Sequence, residues 1–104
     1  MARVPVQIIA LARRLKKAVA KELAVKKLIL FGSYAKGNHT TDSDIDLCIV
    51  ADNAGNNSLA ALKLAPLTAG IDTRIEAIVF NERDFRQGTV GIIREIKETG
   101  IEIE

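Results

Sequence analysis

Apolar and polar positions along this chain follow two periods. From Pro5 to about Leu23, the residues Ile8, Leu11, Ala12, Leu15, Val19 and Leu23 recur at three- and four-residue steps. Arg13, Arg14, Lys16, Lys17 and Lys21 fall mostly between them, which predicts an amphipathic helix with a basic outer face. "KKLILF" (26–31) is a short apolar run that reads as a buried strand, ended by Gly32 and followed by a brief turn or helix from Ser33 to Lys36. "GNHTTDS" (37–43) has turn chemistry. "DIDLCIVA" (44–51) predicts a second strand, with Ile45, Leu47 and Ile49 on one face and Asp44, Asp46, Cys48 and Val50 on the other.

"DNAGNN" ends that strand, and a short helix is expected from Asn57 or Ser58, carrying Leu59 and Leu62 and closed off by Pro66 and Gly70. "TRIEAIVF" (73–80) predicts the third strand. Asn81 with Asp84 opens a further short helix by capping, Gly88 interrupts it, and "VGIIREIKET" forms the last helix before Gly100. The tail "IEIE" alternates strictly, as an edge strand or a frayed end would. This order of elements predicts an α/β (α+β) fold, helices packed on a small β-sheet, as one domain over residues 1–104.

Composition fits a modest core. At 104 residues the chain is expected to bury roughly 65% of its unfolded surface. No apolar run reaches the roughly 18 residues of a membrane span, and the start lacks the order of a secretory signal, so a cytoplasmic location is expected. The lone Cys48 lies in an apolar run and is expected to be buried. Net charge is only +2, but residues 1–36 hold nine Lys and Arg against Glu22 alone, whereas residues 37–104 hold six bases and twelve acids. Such a basic region can attract phosphates or an acidic partner, although a solvated helix face is the ordinary account.

The candidate chemistry centres on "GSYAKGNHTTDSDID" (32–46). Gly32 at a strand end lets another group approach the backbone, and Ser33 adds a donor for an anion. Asp44 and Asp46, one residue apart, put two carboxylates on one strand face, where burial costs several kcal/mol unless they are paired or bound to metal. Such hard oxygen ligands point to magnesium or manganese, and neither Cys48 nor His39 completes a zinc set. His39 is expected to be a solvated loop residue. A third acid would complete a two-metal site, and parity in the third strand allows Asp72 and Glu76 alike, on one face with Arg74. Glu76 is favoured because it is embedded in "RIEAIVF", whereas Asp72 stands at the strand's mouth.

Gly32-Ser33, ten intervening residues and Asp44-Ile45-Asp46 resemble the signature of the nucleotidyltransferase superfamily that includes DNA polymerase beta. More narrowly, "LFGSYAKGNHTTDSDIDLCIV" looks like the minimal nucleotidyltransferases, small prokaryotic proteins whose genes often adjoin one for a HEPN-domain protein. The resemblance implies a nucleotidyltransferase fold with a small mixed β-sheet, and it implies that Gly32 and Ser33 hold the β and γ phosphates of a nucleoside triphosphate. It also implies that Asp44 and Asp46 bind two Mg²⁺ ions and that Glu76 is the third acid, helping to activate the acceptor. An aspartate often stands at that third position in the family, and Lys36 stands where relatives often have arginine, keeping the charge but losing the planar fork.

The expected activity is Mg²⁺-dependent transfer of AMP from ATP to an acceptor hydroxyl. The resemblance implies a HEPN-type toxin as acceptor and an antitoxin role for this chain. Larger members carry further domains over the base and acceptor, so an open site finished by a partner is expected, with the basic helix or a sheet edge as docking surface and a homodimer as substitute. One rival reading is a transferase-fold module that neutralises its partner by contact alone. The other is a nucleic-acid binder, which the lack of interleaved aromatics and of RNA-binding signatures disfavours.

Overall fold

Strand and helix boundaries follow where apolar side chains can be covered. The computed structural model of the chain describes residues 4–52, 55 and 57–104, with the backbone alone at 57 and 58. Its elements are α1 (Val6–Val19), β1 (Val25–Phe31), α2 (Ser33–Lys36), β2 (Ile45–Ala51), α3 (Asn57–Ile71), β3 (Ile75–Asn81), α4 (Glu82–Gln87), α5 (Gly91–Thr99) and β4 (Ile101–Ile103). The turn expected over 52–57 falls largely outside the described residues.

The four strands form one mixed sheet in the order β3-β2-β1-β4. β1 is antiparallel to both β2 and β4, and β2 is parallel to β3, with α3 as the crossover that a parallel pair requires. Because β1 and β2 are central, both of their faces are covered. Leu28, Leu30, Leu47 and Ile49 point to the side packed with Ile8, Ala12, Leu15 and Val19 of α1 and with Ala60 and Leu64 of α3. Ile29, Phe31, Cys48 and Val50 point to the other side, against Phe85 of α4 and Ile96 of α5. The alternation expected of residues 44–51 is therefore present, with apolar cover on both faces.

Three local expectations change. α1 stops at Val19, where the amides of Glu22 and Leu23 both donate to the Val19 carbonyl and turn the chain toward β1. α3 runs through Pro66 and ends at Ile71, directly after Gly70, so of the two expected breakers only Gly70 stands at the helix end. The ring stands on the exposed side, and Leu64 and Thr68 on the buried side keep the helix seated. Thr68 Oγ1 also donates to the Ala65 carbonyl at 3.0 Å. At α4, Asn81 is the N-cap residue by backbone, but its side-chain amide donates to the Gly55 carbonyl at 2.9 Å instead of capping the helix.

The basic face of α1 is partly committed inside the fold. Lys16 Nζ donates to the Ile103 carbonyl at 3.0 Å and Arg13 Nε to that of Glu104 at 3.3 Å, so α1 clamps the outer edge of β4. Among the described residues, no helix is long and apolar enough to cross a membrane.

Candidate functional site

Strand register gathers the acids that lie far apart in sequence. Phe31 of β1 pairs with Asp46 of β2, and Asp46 pairs in turn with Glu76 of β3. Side chains of paired residues share a face, so Phe31, Asp46 and Glu76 form one row across three strands, on the side covered by α4 and α5. Asp44 lies two residues before Asp46 and is exposed at the mouth of β2. Glu95 of α5 is near enough for its charge to act on Asp46.

Gly32 sets how closely the chain approaches this row. Its φ of 74° and ψ of −152° suit glycine alone, and a Cβ at this position would run into the carboxylate of Asp46. The end of β1 can therefore lie directly against Asp46. Ser33, half-buried, is the first residue of α2, and its hydroxyl makes no hydrogen bond among the described residues. Cys48, the next residue on that face of β2, is fully buried, and burial pushes its thiol up to about 12, which leaves it a packing residue.

Asp46 is the electrostatic centre. Burial pushes its carboxyl up to about 6, helped by the charges of Glu76, Asp44 and Glu95 and by a hydrogen bond shared with Glu76. Asp72, the other candidate for third acid, is placed differently. It precedes β3, and its Oδ1 accepts from the Arg74 backbone amide at 2.8 Å and from Arg74 Nε at 3.1 Å. Its Oδ2 accepts from Arg74 Nη2 at 3.0 Å. These bonds hold the Asp72 carboxyl below the usual carboxylate range. Of the two acids that parity left open, the register brings only Glu76 beside Asp46, and Arg74 is the partner of Asp72.

All these donors are hard carboxylate oxygens, and their mutual repulsion is what a divalent cation would relieve, so the chemistry of the set fits Mg²⁺ or Mn²⁺. Among the described residues, no three His, Cys, Asp or Glu side chains converge tightly enough to hold a metal as they stand. Glu76 already shares a hydrogen bond with Asp46, and Asp44, exposed at the mouth of β2, is the nearest further carboxylate along that strand.

Two features escaped the sequence. His39, expected in solvent, stacks on Tyr34 with ring centroids 4.3 Å apart, and its buried Nδ1 has no partner among the described residues. Glu95 pairs with Lys36 at 3.4 Å and adds to the crowding at Asp46. Only the tertiary fold brings it there, since in sequence it reads as one more polar position of an amphipathic helix.

The glycine turn, the aspartate pair and the mixed sheet define a nucleotide-handling class of protein, and the chain belongs to it: residues 12–103 match the family described as "Nucleotidyltransferase domain". Within that family it is similar to two proteins of Methanocaldococcus jannaschii. One, named "Putative protein adenylyltransferase MJ0604", is 64% identical over 28 residues, covering 27% of this chain and 28% of the relative. The other, "Putative protein adenylyltransferase MJ1379", is 45% identical over 40 residues, covering 38% and 40%. The matched stretches thus span well under half of those relatives.

Solved structures share the fold. "A putative nucleotidyltransferase from Sulfolobus solfataricus" superposes with a TM-score of 0.68 at 19% identity, over 93% of this chain and 79% of that one. A "toxin-antitoxin with AMP-PNP" gives 0.66 at 20% identity, over 89% and 72%. The "toxin-antitoxin MntA-HpeT mutant-D39ED41E" gives 0.65 at 18% identity, over 89% and 72%.

Proposed function

We propose that this chain transfers AMP from ATP to a hydroxyl of a partner protein, a HEPN-domain toxin that it restrains as antitoxin. The observation that carries the reading is the row in which Glu76 stands opposite Asp46, with Gly32 against the same carboxylate. The adenylyltransferase names of the relatives and the fold shared with a toxin-antitoxin pair holding AMP-PNP support the substrate and the partner.

In this reading Gly32 and Ser33 seat the β and γ phosphates, and Asp44, Asp46 and Glu76 hold Mg²⁺. The metal supplies charge neutralisation at the α-phosphate and the leaving pyrophosphate and lowers the pKa of the acceptor hydroxyl. The acceptor oxygen bonds to the α-phosphorus as the bridge to the β-phosphate breaks. Glu76, on the exposed side of the row, takes the hydroxyl proton, and pyrophosphate leaves.

The test is transfer of label from α-phosphate-labelled ATP with Mg²⁺ to macromolecules in an extract of the source cells, with Asp46→Asn as control. Asp46-dependent label on a protein is the expected result, and Asp46→Asn lowers it at least roughly a hundredfold. Mg²⁺-dependent ATP binding without any label favours neutralisation by contact alone. No metal-dependent ATP binding at all overturns the reading.

A further inference from the structure

The ion pair between Lys36 and Glu95 ties the end of α2 to α5, across 59 positions of sequence. Both side chains are about 40% exposed, so the pair braces the fold only weakly. Its location matters more than its strength. Lys36 lies four residues past Gly32, within the turn of chain that leads to the aspartates, and Glu95 is close enough to Asp46 to act on its charge. Arg74, the cation preceding β3, is held by Asp72. Lys36 is a cation on the short helix that begins at Gly32 and Ser33, and a carboxylate already sits on it.

We propose that Glu95 is an internal competitor for Lys36: its carboxylate holds the ammonium that the polyphosphate of a nucleoside triphosphate takes over on binding, so α5 sets the nucleotide affinity of the site. The inference rests on the reading that Gly32 and Ser33 receive a triphosphate. Carboxylate and phosphate oxygens are acceptors of one class for an ammonium, and the flexible lysine stem can exchange one for the other. The exchange has a cost. Releasing Lys36 leaves Glu95 an unpaired charge beside carboxylates that already repel one another. Glu95 is a positioning residue in this scheme, acting on nucleotide through Lys36.

The test is calorimetric titration of Mg–ATP, and of inorganic tripolyphosphate as a probe without a base, into wild type, Glu95→Gln, Lys36→Met and the double variant, with thermal unfolding to confirm that each is folded. Glu95→Gln is expected to bind roughly two- to fivefold tighter, the factor that a half-exposed ion pair is worth. Lys36→Met is expected to bind more weakly than wild type, and Glu95→Gln adds no tightening to it. That non-additivity is what a merely structural role would not produce.

Tightening that persists undiminished without Lys36 would mean that Glu95 acts by general repulsion and would overturn the competitor role. Weaker Mg–ATP binding by Glu95→Gln would overturn it in favour of metal ligation. If wild type binds Mg–ATP and Glu95→Gln matches it, the competitor fails while the nucleotide reading stands. If no variant binds, both fail.

Discussion

Asp46 and Asp72 sit at the same end of the paired strands β2 and β3, where the Ile45 amide donates to the Arg74 carbonyl at 2.9 Å, yet their surroundings are opposite. Asp72 accepts from the Arg74 amide and guanidinium, and its charged form is favoured. Asp46 is partly buried among Glu76, Asp44 and Glu95, and its charged form is disfavoured. An acid that only shapes a turn is given a cation by the fold, as Asp72 is. An acid set left with its charges uncompensated works against the apo fold, and that local conflict marks the place where a ligand is expected.

The comparison breaks most visibly at Gly32. Alanine there must adopt a glycine-only conformation and push the Asp46 carboxylate away, so Gly32→Ala is expected to lower stability by about 2–3 kcal/mol. Nucleotide binding should fall with it. Denaturant unfolding checks the first effect and Mg–ATP titration the second; a variant as stable as wild type would mean that β1 does not rest against Asp46.

A smaller effect separates the two aspartates by pH. The folded Asp46 carboxyl, at about 6, lies above its ordinary value of 3.8, so between those values the folded state holds a proton that the unfolded state has lost. Stability from this group is present below about 4 and is lost as pH rises through about 6. Asp72 has the opposite sign: its contribution is present above 3.8 and is lost as pH falls through its depressed folded value. Without metal, Tm should therefore drop by roughly a few degrees between pH 4 and 7, and Asp46→Asn should flatten that slope. Millimolar Mg²⁺ should restore Tm at pH 7, because a cation that binds only the folded state takes the place of the proton. A slope unchanged in Asp46→Asn would remove Asp46 from its position at the electrostatic centre.

What could be read in sequence depended on the range of the information. The alternation of Ile45, Leu47 and Ile49 against Asp46, Cys48 and Val50 is local, and it is present in β2 with the expected faces. Helices packed on a small sheet followed from the order of elements, and the mixed pairing from the family resemblance. Parity left Glu76 and Asp72 open and context favoured Glu76 as the embedded one, yet Glu76 is exposed and Asp72 half-buried; what separates them is that β3 starts at Ile75, after a turn that Asp72 itself stabilises, and pairs with β2 so that Glu76 faces Asp46. The passage of α3 through Pro66 was decided by packing, which overrides a local breaker signal. Glu95 and the His39–Tyr34 stack are contacts between distant segments, and nothing in a helical or turn pattern announces such a contact.

The smallest expected effect is also the sharpest test of that choice. Asp72→Asn loses the charge pairing with Arg74, but its amide oxygen can still accept from the Arg74 backbone N–H that shapes the turn into β3. Because the pair is partly exposed, Tm should change by roughly a few degrees at most, and less at high salt. Mg²⁺-dependent transfer should stay near the wild-type level in Asp72→Asn and collapse in Glu76→Ala, although the second substitution, at an exposed position, leaves stability nearly untouched. Transfer that survives Glu76→Ala and disappears in Asp72→Asn would reverse the roles: the bonds to Arg74 would then describe a ligand held in reserve, and the row across β1, β2 and β3 would be a feature of packing alone.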